Sequence, residues 1–127
     1  MSEFPSYSEQ SAKFHRFMDT PLPEKYLLMV REHPNSYVGG VQRLYRLGSF
    51  GLSFVDGPNL HSFPFRWEVI CLHWEKGAND LDFECTHGKF EDPLNDDITV
   101  FGNGADANEW LQDVGFPWME RQHALHD

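Results

Sequence analysis

The chain has 127 residues, of which 40% are hydrophobic, including 11 Phe, 4 Trp and 4 Tyr; that suffices for one ordinary folded domain without metal or disulfide staples. Its net charge of −10 excludes duplex DNA, RNA and anionic membrane as natural direct partners, because binding them rests on Lys and Arg. The absence of an apolar run of about 18 residues and of a basic-then-apolar start argues against a membrane span and a secretory signal, and two cysteines in such a chain fit the reducing cytoplasm.

In chain order, "SYSEQSAKFHRFMDTPLP" reads as a short helix, with Ser8 as cap, Phe14, Phe17 and Met18 at helical spacing, and Pro21 and Pro23 as its stop. "KYLLMVRE" suits a first strand, and "HPNSYVGG" a loop. "VQRLYRL" and "FGLSFV" form a hairpin about Gly48-Ser49. After the turn "DGPN", "FPFRWEVICLHWE" is the longest apolar stretch and the candidate central strand. Along it Phe65, Trp67, Val69, Cys71 and His73 share one face. "KGAND" turns the chain and "LDFECTH" returns, followed by the acidic loop "FEDPLNDD" and the short strand "ITVF".

The last element is an amphipathic helix. Ala107, Trp110, Leu111 and Val114 fall on one stripe, with Asn103 as N-cap and Gly115 as C-terminal stop. "FPWMERQHALHD" follows as a tail packing back on the domain. The resulting fold class is a single α+β domain: a helical arm over 1–24, a four- to five-stranded, mostly antiparallel sheet over 25–101, a helix over 103–115 and a tail over 116–127.

The charge is regional. Residues 1–74 balance seven acids with seven bases, whereas residues 75–113 hold eleven acids against Lys76 and Lys89. Regional charge steers partners. Asp106, Glu109 and Asp113 line the outward face of the helix, about 4.5–6 Å apart along its axis, close to the spacing of phosphates in a nucleic acid. Asp92, Asp96 and Asp97 extend the array just before it, and Phe116 and Trp118 are the aromatic candidates for anchors beside it.

Cys71 and Cys85 each have a histidine two residues on, His73 and His87. A hairpin turning at 77–79 would place Cys71 opposite Cys85, His73 opposite Phe83 and His87 opposite Val69, all on one side. Ligands at i and i+2 on neighbouring strands can make a zinc tetrahedron, but zinc sites usually draw cysteines from C-x-x-C knuckles, which are absent. Core thiols are the preferred reading; the Cys71, His73, Cys85, His87 zinc site and a cross-strand disulfide remain alternatives. No nucleophile elbow, P-loop, H-E-x-x-H or dinucleotide fingerprint is present, and "GNG" at 102–104 lacks the Lys and Ser/Thr of a phosphate loop. The chain reads as non-enzymatic and without a cofactor.

From about residue 48 to 111, roughly half the chain, "GSFGLSFVDG", "HSFPFRWEVICL", "DPLNDDITVF" and "DANEWL" resemble segments of small acidic proteins that recur in bacteriophages and prophages. The chain departs from their hairpin pattern at Ser49, where Asn or Gly is more usual. That class includes anti-CRISPR and other counter-defence inhibitors. The resemblance implies an inhibitor acting in the cytoplasm of a host bacterium. Its partner would be a defence protein with a basic nucleic-acid-binding surface, met by the acidic array as a nucleic-acid mimic. A self-assembling phage accessory or structural protein is the alternative, with a homodimer left open; a zinc-binding regulator or small enzyme stands behind both.

Overall fold

Alternation of apolar residues on two faces makes the strands, and their pairing makes a six-stranded antiparallel sheet. The computed structural model describes residues 20–34, 40–56 and 67–127. The strands are β1 Leu27–Glu32, β2 Val41–Leu47, β3 Phe50–Asp56, β4 Trp67–Trp74, β5 Phe83–Cys85 and β6 Thr99–Phe101. The first five lie side by side in chain order, and β6 joins β4. The outer edge of β4 is therefore shared: Trp67–Val69 pair with β6 and Leu72–Trp74 with β5. This division gives one strand more than the expected four or five, because the return of the chain after "KGAND" stops after three residues and the edge it leaves is filled by "TVF".

The β2–β3 hairpin forms where the sequence places it. Leu47 pairs with Phe50 across the two-residue turn Gly48-Ser49, and Gly48 has φ +63°, a conformation that glycine adopts without strain. The register sets Tyr45, Leu52 and Cys71 abreast, with Phe54 beside Val69. This face is the main core, closed by Ala107, Leu111, Phe116, Trp118 and Met119. On the other face Leu44, Leu72 and Trp74 form a smaller cluster with Ile70, Ala78 and Phe83. There Arg46 lies 4.7 Å over the Trp74 ring and pairs with Asp80 at 2.7 Å, while Trp74 Nε1 donates to the Asp80 carbonyl at 3.0 Å. Burial of β4 on both faces explains why it reads as a nearly continuous apolar run.

The C-terminal region departs from expectation. Helix α1, Gly104–Trp110, does not stop at Gly115 but runs through a π-helical turn, Leu111–Gly115, into α2, Phe116–His126. The Phe116 N–H reaches back five residues to the Leu111 carbonyl, and the wide turn accommodates Pro117, which has no N–H to donate. Gly115 is there for space: a Cβ would come 2.8 Å from the Trp110 ring and 3.0 Å from Leu52. The expected tail is thus a helix whose first turn lies in the core.

Residues 1–19 of the expected N-terminal arm lie outside the described residues, as do 57–66 with most of "DGPN". Residues 20–24 are not helical. Leu22 enters the core, held by Arg43 Nη2, which donates to the Leu22 and Pro23 carbonyls at 3.3 and 3.2 Å, and by the Tyr45 hydroxyl, which donates to Pro23 at 2.7 Å.

Candidate functional site

The acidic third of the chain divides into a surface part and a structural part. On α1 the Asn103 side chain accepts the Asp106 N–H at 2.8 Å and fixes the start of the helix. That phase turns Ala107 and Leu111 fully inward and leaves Asp106, Glu109 and Asp113 exposed. None of these three makes an ion pair or side-chain hydrogen bond among the described residues. The π-helical turn changes the angular advance at Asp113, so the three are not spaced as on a straight α-helix. Asp96 and Asp97 are exposed too, Asp96 lying 3.6 Å from His87 Nδ1 and Asp97 accepting the Ile98 N–H at 2.8 Å.

Asp92 belongs to the structural part, which corrects its expected place in the array. It is the hub of a loop of successive turns, closed by backbone bonds from Lys89 to Thr86, Asp92 to Lys89, Asn95 to Asp92 and Asp97 to Leu94. Its carboxylate accepts the Thr86 hydroxyl, the Leu94 N–H at 2.7 Å and the Asp96 N–H at 3.3 Å. Burial pushes its pKa up, but bonds from Thr86, Leu94, Cys71 and Asp96 outweigh that and hold it below the usual carboxylate range. The bonds also hold a strained backbone, since His87, Phe90, Glu91, Asn95 and Asp96 all have positive φ.

Helix α2 clamps the same loop. Trp118 Nε1 donates to the Phe90 carbonyl at 2.9 Å, Gln122 Nε2 to Glu91 at 3.3 Å, and Arg121 lies 3.4 Å from Glu91. Phe116 and Trp118 are therefore core residues, 1% and 0% exposed, and cannot act as surface anchors. The exposed large apolar side chains in the acidic third of the chain are Leu81, Ile98 and Val100, at 49%, 42% and 41%, and the last two lie on and beside β6, next to Asp96 and Asp97.

The cysteine–histidine face is also corrected. The connection turns over 75–82 rather than at 77–79, so Cys85 pairs with Leu72, Glu84 with His73 and Phe83 with Trp74. A one-residue difference in register moves a side chain to the other face. His87 lies beyond β5 in a left-handed turn, and Cys71 and Cys85 are free thiols. Among the described residues no three His, Cys, Asp or Glu converge as metal ligands. Burial, reinforced by the Asp92 carboxylate, pushes the Cys71 thiol up; burial and then Asp96 push Cys85 up. Both are thus protonated at neutral pH and poor nucleophiles.

A cleft that no local motif announces lies at one end of the sheet. Its walls come from the β2–β3 hairpin, the end of β4, the acidic loop and the last turn of α2. His73 stacks on Phe90 with ring centroids 4.5 Å apart, and His126 lies 5.3 Å from Phe90 and 5.6 Å from Phe50. The roof is fastened by Asp127, whose carboxylate accepts the Ser49 N–H at 2.9 Å and hydroxyl at 2.7 Å and contacts His123 Nδ1 at 2.9 Å. Burial pushes the Asp127 carboxyl up, but these bonds win and hold it below the usual range. Ser49 and His123 both face the carboxylate rather than each other, which makes this a clasp and not a nucleophile with its base.

Comparison with protein-family models, curated proteins and solved structures found no match. Among the described residues no helix is long and apolar enough to cross a membrane.

Proposed function

We propose that this chain is a non-enzymatic phage or mobile-element protein that binds and inhibits a host nucleic-acid-handling defence protein through its acidic surface. The observation that carries the reading is the set Asp106, Glu109 and Asp113, exposed on one helix and without ion-pair partners among the described residues. Surface carboxylates with no internal partner are available to a Lys/Arg groove. Such complementarity speeds association and selects the partner, while buried apolar contacts supply most of the lasting affinity. Asp96 and Asp97 widen the charge, and Ile98 and Val100 replace Phe116 and Trp118 as the apolar anchors. The resemblance to small acidic phage proteins names the partner class: a defence protein of the host cytoplasm whose nucleic-acid groove the acids occupy.

The test is affinity capture from nuclease-treated bacterial lysates carrying different defence systems. A stoichiometric nucleic-acid-binding protein that is released by high salt, and whose nuclease or binding activity falls when this chain is added, is the expected result. Capture that is insensitive to salt, or a partner whose activity is unchanged, would overturn the reading.

A second reading, self-assembly as a phage accessory protein, is favoured by exposed apolar residues on the edge strand β1 and the neighbouring end of β2. Val30 and Val41 are 48% and 42% exposed at the β1–β2 side, opposite the Ile98–Val100 edge. Sedimentation separates the two: a monomer at micromolar concentration supports the inhibitor, and a stable oligomer supports assembly.

A further inference from the structure

We propose that the outer edge of β6 takes up an extended basic segment of the partner protein as an added strand. The proposal rests on the inhibitor reading above and names the form of what its acidic surface binds. β6 pairs with β4 along Trp67, Glu68 and Val69, and among the described residues no strand pairs with its other side. The positive φ of Asn95 and Asp96 ends the preceding turn, so the open edge runs over residues 97–101. That is close to the usual strand length of about 5–6 residues. At its start the Ile98 N–H donates to the Asp97 carboxylate at 2.8 Å rather than to a neighbouring strand.

The two sides of this edge differ in chemistry. The register sets Val55, Glu68 and Val100 in one row on the sheet face away from the helices. Ile98, two residues before Val100, falls on the same face, and both are more than two-fifths exposed. On the other face Phe101 lies 5.8 Å from the Trp110 ring of α1, the helix whose outward acids are Asp106 and Glu109. Residues 90–113 hold seven acids and neither Lys nor Arg, and β6 lies in the middle of that stretch. Native edge strands are commonly guarded against pairing by Lys, Pro or a bulge, but residues 97–101 contain neither Lys nor Pro. Carboxylates guard this edge instead. They repel a second copy, which carries the same acids, and select a cationic segment. A strand with apolar side chains over Ile98 and Val100, and with Lys or Arg on the α1 side, matches both faces at once. Main-chain bonds then give affinity, and the alternating side chains give specificity.

The test is NMR titration of the full chain with three end-capped peptides of equal length. One alternates Lys and Val, one alternates Glu and Val, and the third is the Lys–Val peptide with alternate amides N-methylated, so that it cannot pair. Saturable shifts at residues 98–101 are expected with the Lys–Val peptide, and binding at least tenfold weaker with the other two. Joint substitution Ile98→Lys and Val100→Lys, at exposed positions that leave the spectrum dispersed, should weaken Lys–Val binding at least tenfold. Equal binding of the N-methylated peptide, or shifts that spare residues 98–101, would reduce the contact to charge alone and overturn the proposal. Concentration-dependent shifts at the same residues without peptide would give the edge to a second copy and overturn it too. The inhibitor reading fails separately: peptide addition with no partner captured from lysates removes that reading and keeps the edge site. A captured partner with no peptide shift at residues 98–101 does the reverse.

Discussion

Asp92 and Asp106 belong to the same acidic third of the chain, yet the fold uses them in opposite ways. Asp92 is surrounded by a hydroxyl, a thiol and two backbone N–H groups, and its charge holds a loop together. Asp106 contributes its N–H to the helix cap and leaves its carboxylate in water, as do Glu109 and Asp113. The contrast teaches that charge counted along a sequence is not charge presented to a partner. A donor-rich turn consumes a carboxylate internally, whereas the outward face of a helix, whose backbone donors are already used, does not.

Perturbing what surrounds the inward acid should give the largest effects. Trp118→Ala removes a fully buried indole and the bond to Phe90 that clamps the loop. It should destabilise the protein by about 3–5 kcal/mol in urea unfolding, with increased proteolysis of the 86–97 loop as the local sign.

Gly115→Ala forces a Cβ against Trp110 and Leu52; thermal and urea denaturation should show a loss of about 1–3 kcal/mol, whereas a glycine acting only as a helix stop would tolerate alanine. Asp92→Asn keeps the shape but weakens the hub, for an expected loss of about 1–2 kcal/mol at pH 7.

The same variant sharpens the pH dependence. The Asp92 pKa in the fold lies below its ordinary value of 3.8, so its contribution is complete above that value and is lost as the pH falls through the folded-state pKa. Asp127 acts in the same direction. Acid unfolding should therefore be shallower below about pH 4 in Asp92→Asn than in the parent. An unchanged acid limb would show that the loop does not rely on the charge. The smallest effect on stability is expected for Asp106→Lys, Glu109→Lys and Asp113→Lys, each within about 0.5 kcal/mol, because all three side chains are exposed.

Much of the fold was legible where local chemistry decides it. The Gly48-Ser49 turn, the apolar run of β4, the Asn103 cap and the Ala107–Leu111 stripe each follow from residue type and period. The errors arose where a distant neighbour decides. Gly115 resembles a helix stop, but Trp110 and Leu52 need the space its missing side chain leaves, and a π-helical turn carries the chain past Pro117. The register of β5 was one residue off because the 75–82 connection is tied down by Asp80, through Arg46 and Trp74, and no local pattern specifies that. Of the acidic array, the outward placement of Asp106 and Glu109 was readable from the phase of α1, whereas the π-helical turn that shifts Asp113 was not. The inward turn of Asp92 depends on Cys71 and Thr86, which its own segment does not reveal. The cleft draws on four separate segments and carries no motif at all.

The most direct test of the division between outward and inward acids is a side-by-side capture with two variants, each confirmed folded by circular dichroism. Asp106→Lys with Glu109→Lys and Asp113→Lys should keep parental stability and lose at least tenfold in affinity for the captured partner. Asp92→Asn should lose stability and keep that affinity within about twofold, a change of only about 0.4 kcal/mol. Retained binding in the triple variant, or lost binding in folded Asp92→Asn, would place the contact surface elsewhere and contradict the proposed role of α1.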